Sequence, residues 1–320
     1  MKKSIMISLI VAGALVLFGT GLFAGAMTAG GWDFSILNTY DVVHNTYDVD
    51  QPFTNISIES DTADIRFAES SDGKCRVATL DQNNHIYDVG VLDNTLYIHM
   101  YFKGLFEFGI GSYDAFLTVY LPEDVYGTLT IKEDTGDVEI PKNFSFESID
   151  IEVDTGDIVS YADTTGACRI ATTTGDIKVE NASVGALALR ATSGKITVSD
   201  VVCAGNVSAN VRTGDTSLTN LTCTDLTSTG TTGELNLTNV IASGKLDITR
   251  DTGDVTFDGS DAGSIKVHTS TGDVKGTLLT PKIIYAQTDT GRVELPKTTT
   301  GGVCDITTDT GDIVIDITPN

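Results

Sequence analysis

Ile151-Glu-Val-Asp-Thr-Gly-Asp-Ile-Val159 is an apolar alternation, a Thr-Gly-Asp corner and a second alternation, and close copies of it return along the chain. The (Thr/Ser)-Gly pair recurs at Gly136, Gly156, Gly175, Gly194, Gly214, Gly233, Gly253, Gly272, Gly291 and Gly311, at intervals of 19 or 20 residues. A fixed period of that length marks a repeat architecture in which each unit stacks on the next.

Counting from each glycine as zero separates the two faces, because strand neighbours alternate and only a buried face must be apolar every time. Position minus 7 is apolar in all ten copies, from Leu129 through Leu187, Val207 and Leu226 to Cys304. Position minus 5 fails only at Ser228, and position plus 2 only at Thr216. Position plus 4 is apolar in eight copies. Positions minus 6 and minus 4 carry Asp150, Arg169, Lys266, Glu152, Arg190 and His268, which require water. Val201, Leu221, Val240 and Leu279 share position plus 7 and suggest a further inward corner in some coils.

Two folds share this local pattern. A strand pair around a tight glycine turn also fits a hairpin of an antiparallel meander. A meander with one apolar face needs a second layer over it, and the repeats contain no amphipathic helices to supply one. A solenoid covers itself, with equivalent strands of adjacent coils pairing in parallel at about 4.8 Å. The expected fold is therefore all-β: a parallel β-solenoid of ten coils over 127–320.

The 320 residues carry a formal net charge of −24. That balance argues against nucleic acid as a partner, since its phosphates would be repelled. The five cysteines do not form a disulfide framework. Cys203 and Cys223, both at plus 9 and one coil apart, are close enough for a bridge, while buried thiols acting as small hydrophobes are the other reading.

Met1-Lys2-Lys3 precedes an uncharged apolar run from Ile5 to Ala29, long enough to span a bilayer. The lysines place the rest of the chain on the outer side of a cell membrane crossed once. A cleaved signal peptide is the rival, with Ala24-Gly25-Ala26 as a small-residue site. The chain thus divides into an anchor or signal at 1–31, a connector at 32–52, a degenerate first coil with a β-strand cap at 53–126, and the solenoid. Ile56 to Phe67 repeats the pattern with Ala63 in place of glycine. Within the cap, Phe102-Lys-Gly-Leu-Phe-Glu-Phe-Gly-Ile-Gly111 is apolar where a hairpin loop is normally polar. It either folds back over the open solenoid end, or Phe102, Leu105, Phe106, Phe108 and Ile110 form a patch for a partner or the membrane surface.

Leu117-Thr-Val-Tyr-Leu-Pro122, followed by Leu129-Thr-Ile-Lys-Glu-Asp-Thr-Gly-Asp-Val-Glu-Ile140 and its echoes, resembles the bacterial putative adhesin domain family. The resemblance spans roughly Phe53 to Ile317. It implies a parallel β-solenoid at the cell surface, sometimes linked with envelope-stress systems, and no catalytic residues.

The plus 1 column is mostly aspartate, interrupted by Lys195, Glu234 and Arg292. Asp accepting backbone hydrogen bonds at the corner accounts for the motif. The functional alternative is that Asp134, Asp137, Asp154 and Asp157 place four carboxylates on two adjacent turns as a Ca²⁺ site, waters and carbonyls completing the six to eight oxygens Ca²⁺ takes. Asp-Thr-Gly recurs as in aspartic proteases, but that chemistry needs two aspartates facing across a cleft, and here the copies lie along one edge. A polysaccharide-active enzyme needs an acid or base in a groove, and the repeats offer one histidine, His268. The sequence therefore points to a non-enzymatic surface module that binds a protein or a cell-wall polymer without a cofactor. Its runner-up is an accessory protein of an envelope-stress sensor.

Overall fold

The computed structural model describes residues 3–29, 31–32, 42–82, 85–102 and 115–318. Two parallel ladders dominate it. Strands preceding the corner glycine form the first, with Leu187 paired to Val207 and Val207 to Leu226. Strands following it form the second, with Ile177 paired to Ile196 and Ile196 to Thr216. Every ladder pairing within the repeats is parallel, so residues of one column lie over one another and build one continuous apolar interior.

The corner dictates this stacking. Gly156 has φ +150°, a conformation that L side chains rarely adopt, and a Cβ there would lie 1.9 Å from the carbonyl oxygen of Gly136. Each corner thus sits on the one before it, and glycine alone allows that approach. A second corner follows six residues later, where Asn181, Asp200, Asn220, Asn239 and Gly259 all take φ between 51° and 58°. Asparagine, aspartate and glycine are the residues that tolerate this region best. Asn220 Nδ2 donates to Asp200 Oδ1 at 2.7 Å, and Asn239 Nδ2 to Asn220 Oδ1 at 2.9 Å, tying that corner into its own ladder. Beyond it Val201, Leu221 and Val240 are buried as expected. Leu279 is not the fourth member: Gly276 at φ +128° and a register shift put Leu278 inside instead.

The ends depart from chain order. Gly302–Thr310 pairs with Val255–Thr271 on one side and Lys282–Thr290 on the other. Ile313–Ile317 likewise lies between Val274–Leu278 and Val293–Glu294. The last coil in sequence is therefore the penultimate one in space. The edge strand at this end is Lys282–Thr290, because the final coil has been inserted beneath it. The other end mirrors this arrangement. Asn55–Thr62 pairs in parallel with Thr95–Phe102 and with Val125–Thr135, so the degenerate first coil is also one layer in. Outside it, Cys75–Gln82 and His85–Leu92 run antiparallel to the outermost strands and cap the end.

Each inserted coil is held by one buried polar contact. At the C-terminal end Lys282 and Asp261 form an ion pair with side chains 4% and 10% exposed, joining coils on either side of the inserted strand. At the N-terminal end the Glu133 carboxyl Oε1 accepts the Ala63 N–H at 3.1 Å. Burial pushes the Glu133 carboxyl up to about 8. The folded chain then keeps a proton that the unfolded chain loses near pH 4.5, so stability falls as pH rises through the window from about 4.5 to 8 and levels off above it, by at most about 1.4 kcal/mol per pH unit. Melting temperatures across that window are expected to drop for the native chain and to change less for Glu133→Gln.

Candidate functional site

The corner carboxylates form the most regular polar feature, and they are used by the scaffold. Asp137 Oδ1 accepts the backbone N–H of Asp157 at 2.8 Å, Asp157 that of Asp176 at 2.7 Å, and Asp176 that of Lys195 at 2.7 Å. Across the inserted C-terminal coil the same contact runs from Asp312 N–H to Asp273 Oδ1 and from Arg292 N–H to Asp312 Oδ1. Each Asp thus satisfies a donor of the adjacent rung, which explains the column without invoking a ligand. Of the four residues proposed for Ca²⁺, Asp137 and Asp157 belong to this ladder, and Asp134 and Asp154 are exposed beside it. Among the described residues, no group of three or more His, Cys, Asp or Glu is placed to hold a metal ion.

All five cysteines are free and buried. Cys203 and Cys223 are unbridged, the Cys203 thiol lying 3.6 Å from the Asn206 carbonyl oxygen. Desolvation pushes Cys168, Cys223 and Cys304 up to about 12, so these thiols stay protonated and act as hydrophobes. Of the aromatic loop, Phe102 ends the strand Thr95–Phe102, while Leu105, Phe106, Phe108 and Ile110 lie outside the described residues.

The outward face of the first ladder has a different character. In four consecutive coils its positions read Arg169, Ala171, Thr173; Ala188, Arg190, Thr192; Ser208, Asn210, Arg212; and Thr227, Thr229, Thr231. No carboxylate stands at any of them, although the chain has 44 Asp and Glu. Acidic residues resume on either side, at Asp150, Glu152 and Asp154 and again at Asp247 and Asp251. Arg169, Arg190 and Arg212 are exposed and form no ion pair among the described residues, unlike Arg66, Arg76 and Arg292. A shallow concavity of about 360 Å³ opens between Arg190 and Arg212, with Thr229, Gly230 and Thr249 in its lining and Asp251 as its one carboxylate.

Beneath that window lies Arg250, 1% exposed. Its Nη2 donates to Ser228 Oγ at 2.9 Å and Thr216 Oγ1 at 3.2 Å, and its Nη1 to the Thr249 carbonyl at 3.2 Å. Gly230 makes the room, since a Cβ there would lie 2.8 Å from Nη1. Ser228 and Thr216, the two exceptions in the apolar columns, are thus the partners of one buried cation. No carboxylate neutralises it among the described residues, and burial lowers its pKa to about 10, leaving it charged at neutral pH. Sequence reasoning noted both exceptions and missed the cause, because position minus 3 at Arg250 was not read as inward. Replacing Arg250, Ser228 and Thr216 together by Leu, Val and Val removes an unpaired buried charge, and the expected outcome is equal or higher stability, by up to about 4 kcal/mol, in a thermal melt. Arg250→Ala alone, which leaves a cavity and idle hydroxyls, is expected to lower it.

A family model described as Toastrack DUF4097 matches residues 53–210 and 204–320. No curated protein matches the chain. Among solved structures, one described as a putative adhesin from Parabacteroides distasonis ATCC 8503 is 11% identical, covering 86% of this chain and 97% of that one with a TM-score of 0.41. A second putative adhesin, from Parabacteroides merdae ATCC 43184, is 11% identical over 86% and 96%, with a TM-score of 0.45. A protein described as a putative lipid binding protein from Parabacteroides distasonis ATCC 8503 is 14% identical over 85% and 97%, with a TM-score of 0.39.

Proposed function

The chain belongs to the Toastrack DUF4097 family, and from that premise we propose that it is a non-enzymatic binding module held at the outer side of a bacterial cell membrane, presenting its strand ladders to a protein or a cell-wall polymer. The observation that carries this reading is the division of labour among the polar groups. Corner carboxylates and asparagines are committed to neighbouring rungs, and the outward side chains of the ladders are what remains for recognition. The helix Lys3–Ala29 contains a stretch, Val11–Ala29 with mean hydropathy 1.8, long and apolar enough to cross a membrane. It supports retention at the envelope, with the solenoid as a stiff spacer.

The second reading, an accessory of an envelope-stress sensor, draws on the aromatic segment Phe102–Gly111. Phe102 ends the strand Thr95–Phe102, in the outermost parallel rung at the solenoid end nearer in sequence to the apolar helix. Cross-linking of the tagged full-length chain on intact cells separates the two. A surface module keeps its captured partner when residues 103–111 are deleted, and a sensor accessory loses it; loss of the partner therefore contradicts the first reading.

A further inference from the structure

We propose that Arg169, Arg190 and Arg212 form a binding track for a linear polyol phosphodiester, a chain of phosphates joined by short carbon linkers. The proposal rests on the surface-module reading and names the ligand class that this face of it takes.

The register sets the geometry. Arg190 lies beside Ala171 on one neighbouring strand and Asn210 on the other, while Arg169 lies beside Ala188. Ala191 pairs with Val211 and Ser193 with Thr213, so Arg212 falls beside Thr192. Each arginine is thus one strand over and two residues along from the next, a diagonal with steps of about 8 Å. Successive phosphates bridged by a three-carbon linker are six bonds apart, roughly 7 Å when extended. An extended linker thus falls about 1 Å short of each step, a difference the long arginine side chains take up to place one phosphate per guanidinium.

The chemistry of the side chains selects phosphate. Guanidinium presents a fork that matches two phosphate oxygens, and all three cations here are arginine. Thr173, Thr192, Ser208 and Asn210 stand between them as small neutral donors. A sugar polymer read through its rings would want aromatic platforms, and the four coils of the window carry none on this face.

The charge balance also favours an anion. Ion pairs occupy the exposed arginines elsewhere, yet these three are unpaired in the longest stretch of the face without carboxylates. The buried charge of Arg250 lies under the Gly230 floor of the same concavity, within the low-dielectric interior where it is least screened. An unpaired buried cation lowers stability, and sites that break folding rules in this way are where function is expected. Screening at physiological salt confines the repulsion from the overall charge of −24 to about 8 Å, so only nearby carboxylates act on a bound anion. Nearby, Asp150 pairs in register with Arg169 and Asp251 rims the concavity. The same net charge disfavours an anionic membrane lying along the rod, and a soluble polymer chain meets less of it.

The test uses the full-length chain in detergent micelles, titrated calorimetrically with a glycerol-phosphate hexamer. Binding is expected, weakened about tenfold or more by each of Arg169→Gln, Arg190→Gln and Arg212→Gln, with the salt dependence falling by roughly one counterion per arginine removed. Asp150→Asn is expected to tighten it, and Arg66→Gln with Arg292→Gln to leave it unchanged. Absence of binding at low salt, equal binding by the triple variant, preference for polyglutamate, or binding to phosphatidylglycerol vesicles but not to the soluble hexamer would each overturn the proposal. Partner capture on intact cells that survives while hexamer binding fails overturns this inference and leaves the surface-module reading standing. Hexamer binding with no capture does the reverse.

Discussion

A Cβ added to Gly194 would lie 1.9 Å from the carbonyl oxygen of Gly175, and the same contact returns at each corner of the repeats. This close approach is the constraint from which the structure follows. It demands glycine and fixes the rise between rungs. It also brings the next backbone N–H within reach of the preceding aspartate, as between Asp176 and Lys195 at 2.7 Å. With the corner fixed, the alternation of each arm decides what faces inward, and the buried columns from Leu129 to Ile315 are the result. Hydrophobic burial supplies the bulk of the stability, at about 25 cal/mol per Å² of apolar surface, while the corner supplies its register.

A stack built from identical rungs has a weakness at its ends, where one face of a coil has no neighbour. Here both chain-terminal coils are placed one layer in, between two others, with Lys282 and Asp261 joined over the one and Glu133 holding Ala63 of the other. The outermost layers are then formed by segments continued by chain on both sides, so fraying must displace a rung whose two ends are tethered. At the N-terminal end antiparallel strands add a cap. At the C-terminal end Lys282–Thr290 remains an edge, with Tyr285 and Val293 exposed.

The body of this fold was legible because its signal repeats: ten glycines in phase leave little freedom of interpretation. Asn181, Asp200, Asn220 and Asn239 carried an equally regular signal at the second corner, hidden because asparagine also reads as an ordinary loop residue. The exchange of terminal coils was not legible, because Cys304 and Ile284 have the same character and either would satisfy Ile265. Spatial order among equivalent rungs is decided by loop reach and by single contacts such as Lys282 to Asp261, which periodicity does not encode. Of the sites, the aspartate column was read with its ligand-free explanation, whereas the arginine window was not noticed. It is defined by missing carboxylates across four coils, and such a gap shows only after the columns have been laid side by side.

Order in space and order in sequence therefore agree through the middle of the solenoid and part at its ends, and that combination is the account's central claim. Disulfide trapping between cysteines introduced on the outward face tests it most directly, since strands in contact are about 4.8 Å apart and strands one further away are beyond a bridge's reach. Lys266 pairs with Asp305, and Asp305 with Tyr285. The account predicts rapid cross-linking of Lys266→Cys with Asp305→Cys and none of Lys266→Cys with Tyr285→Cys. The opposite pattern would mean that the coils stack in simple chain order, and would contradict it.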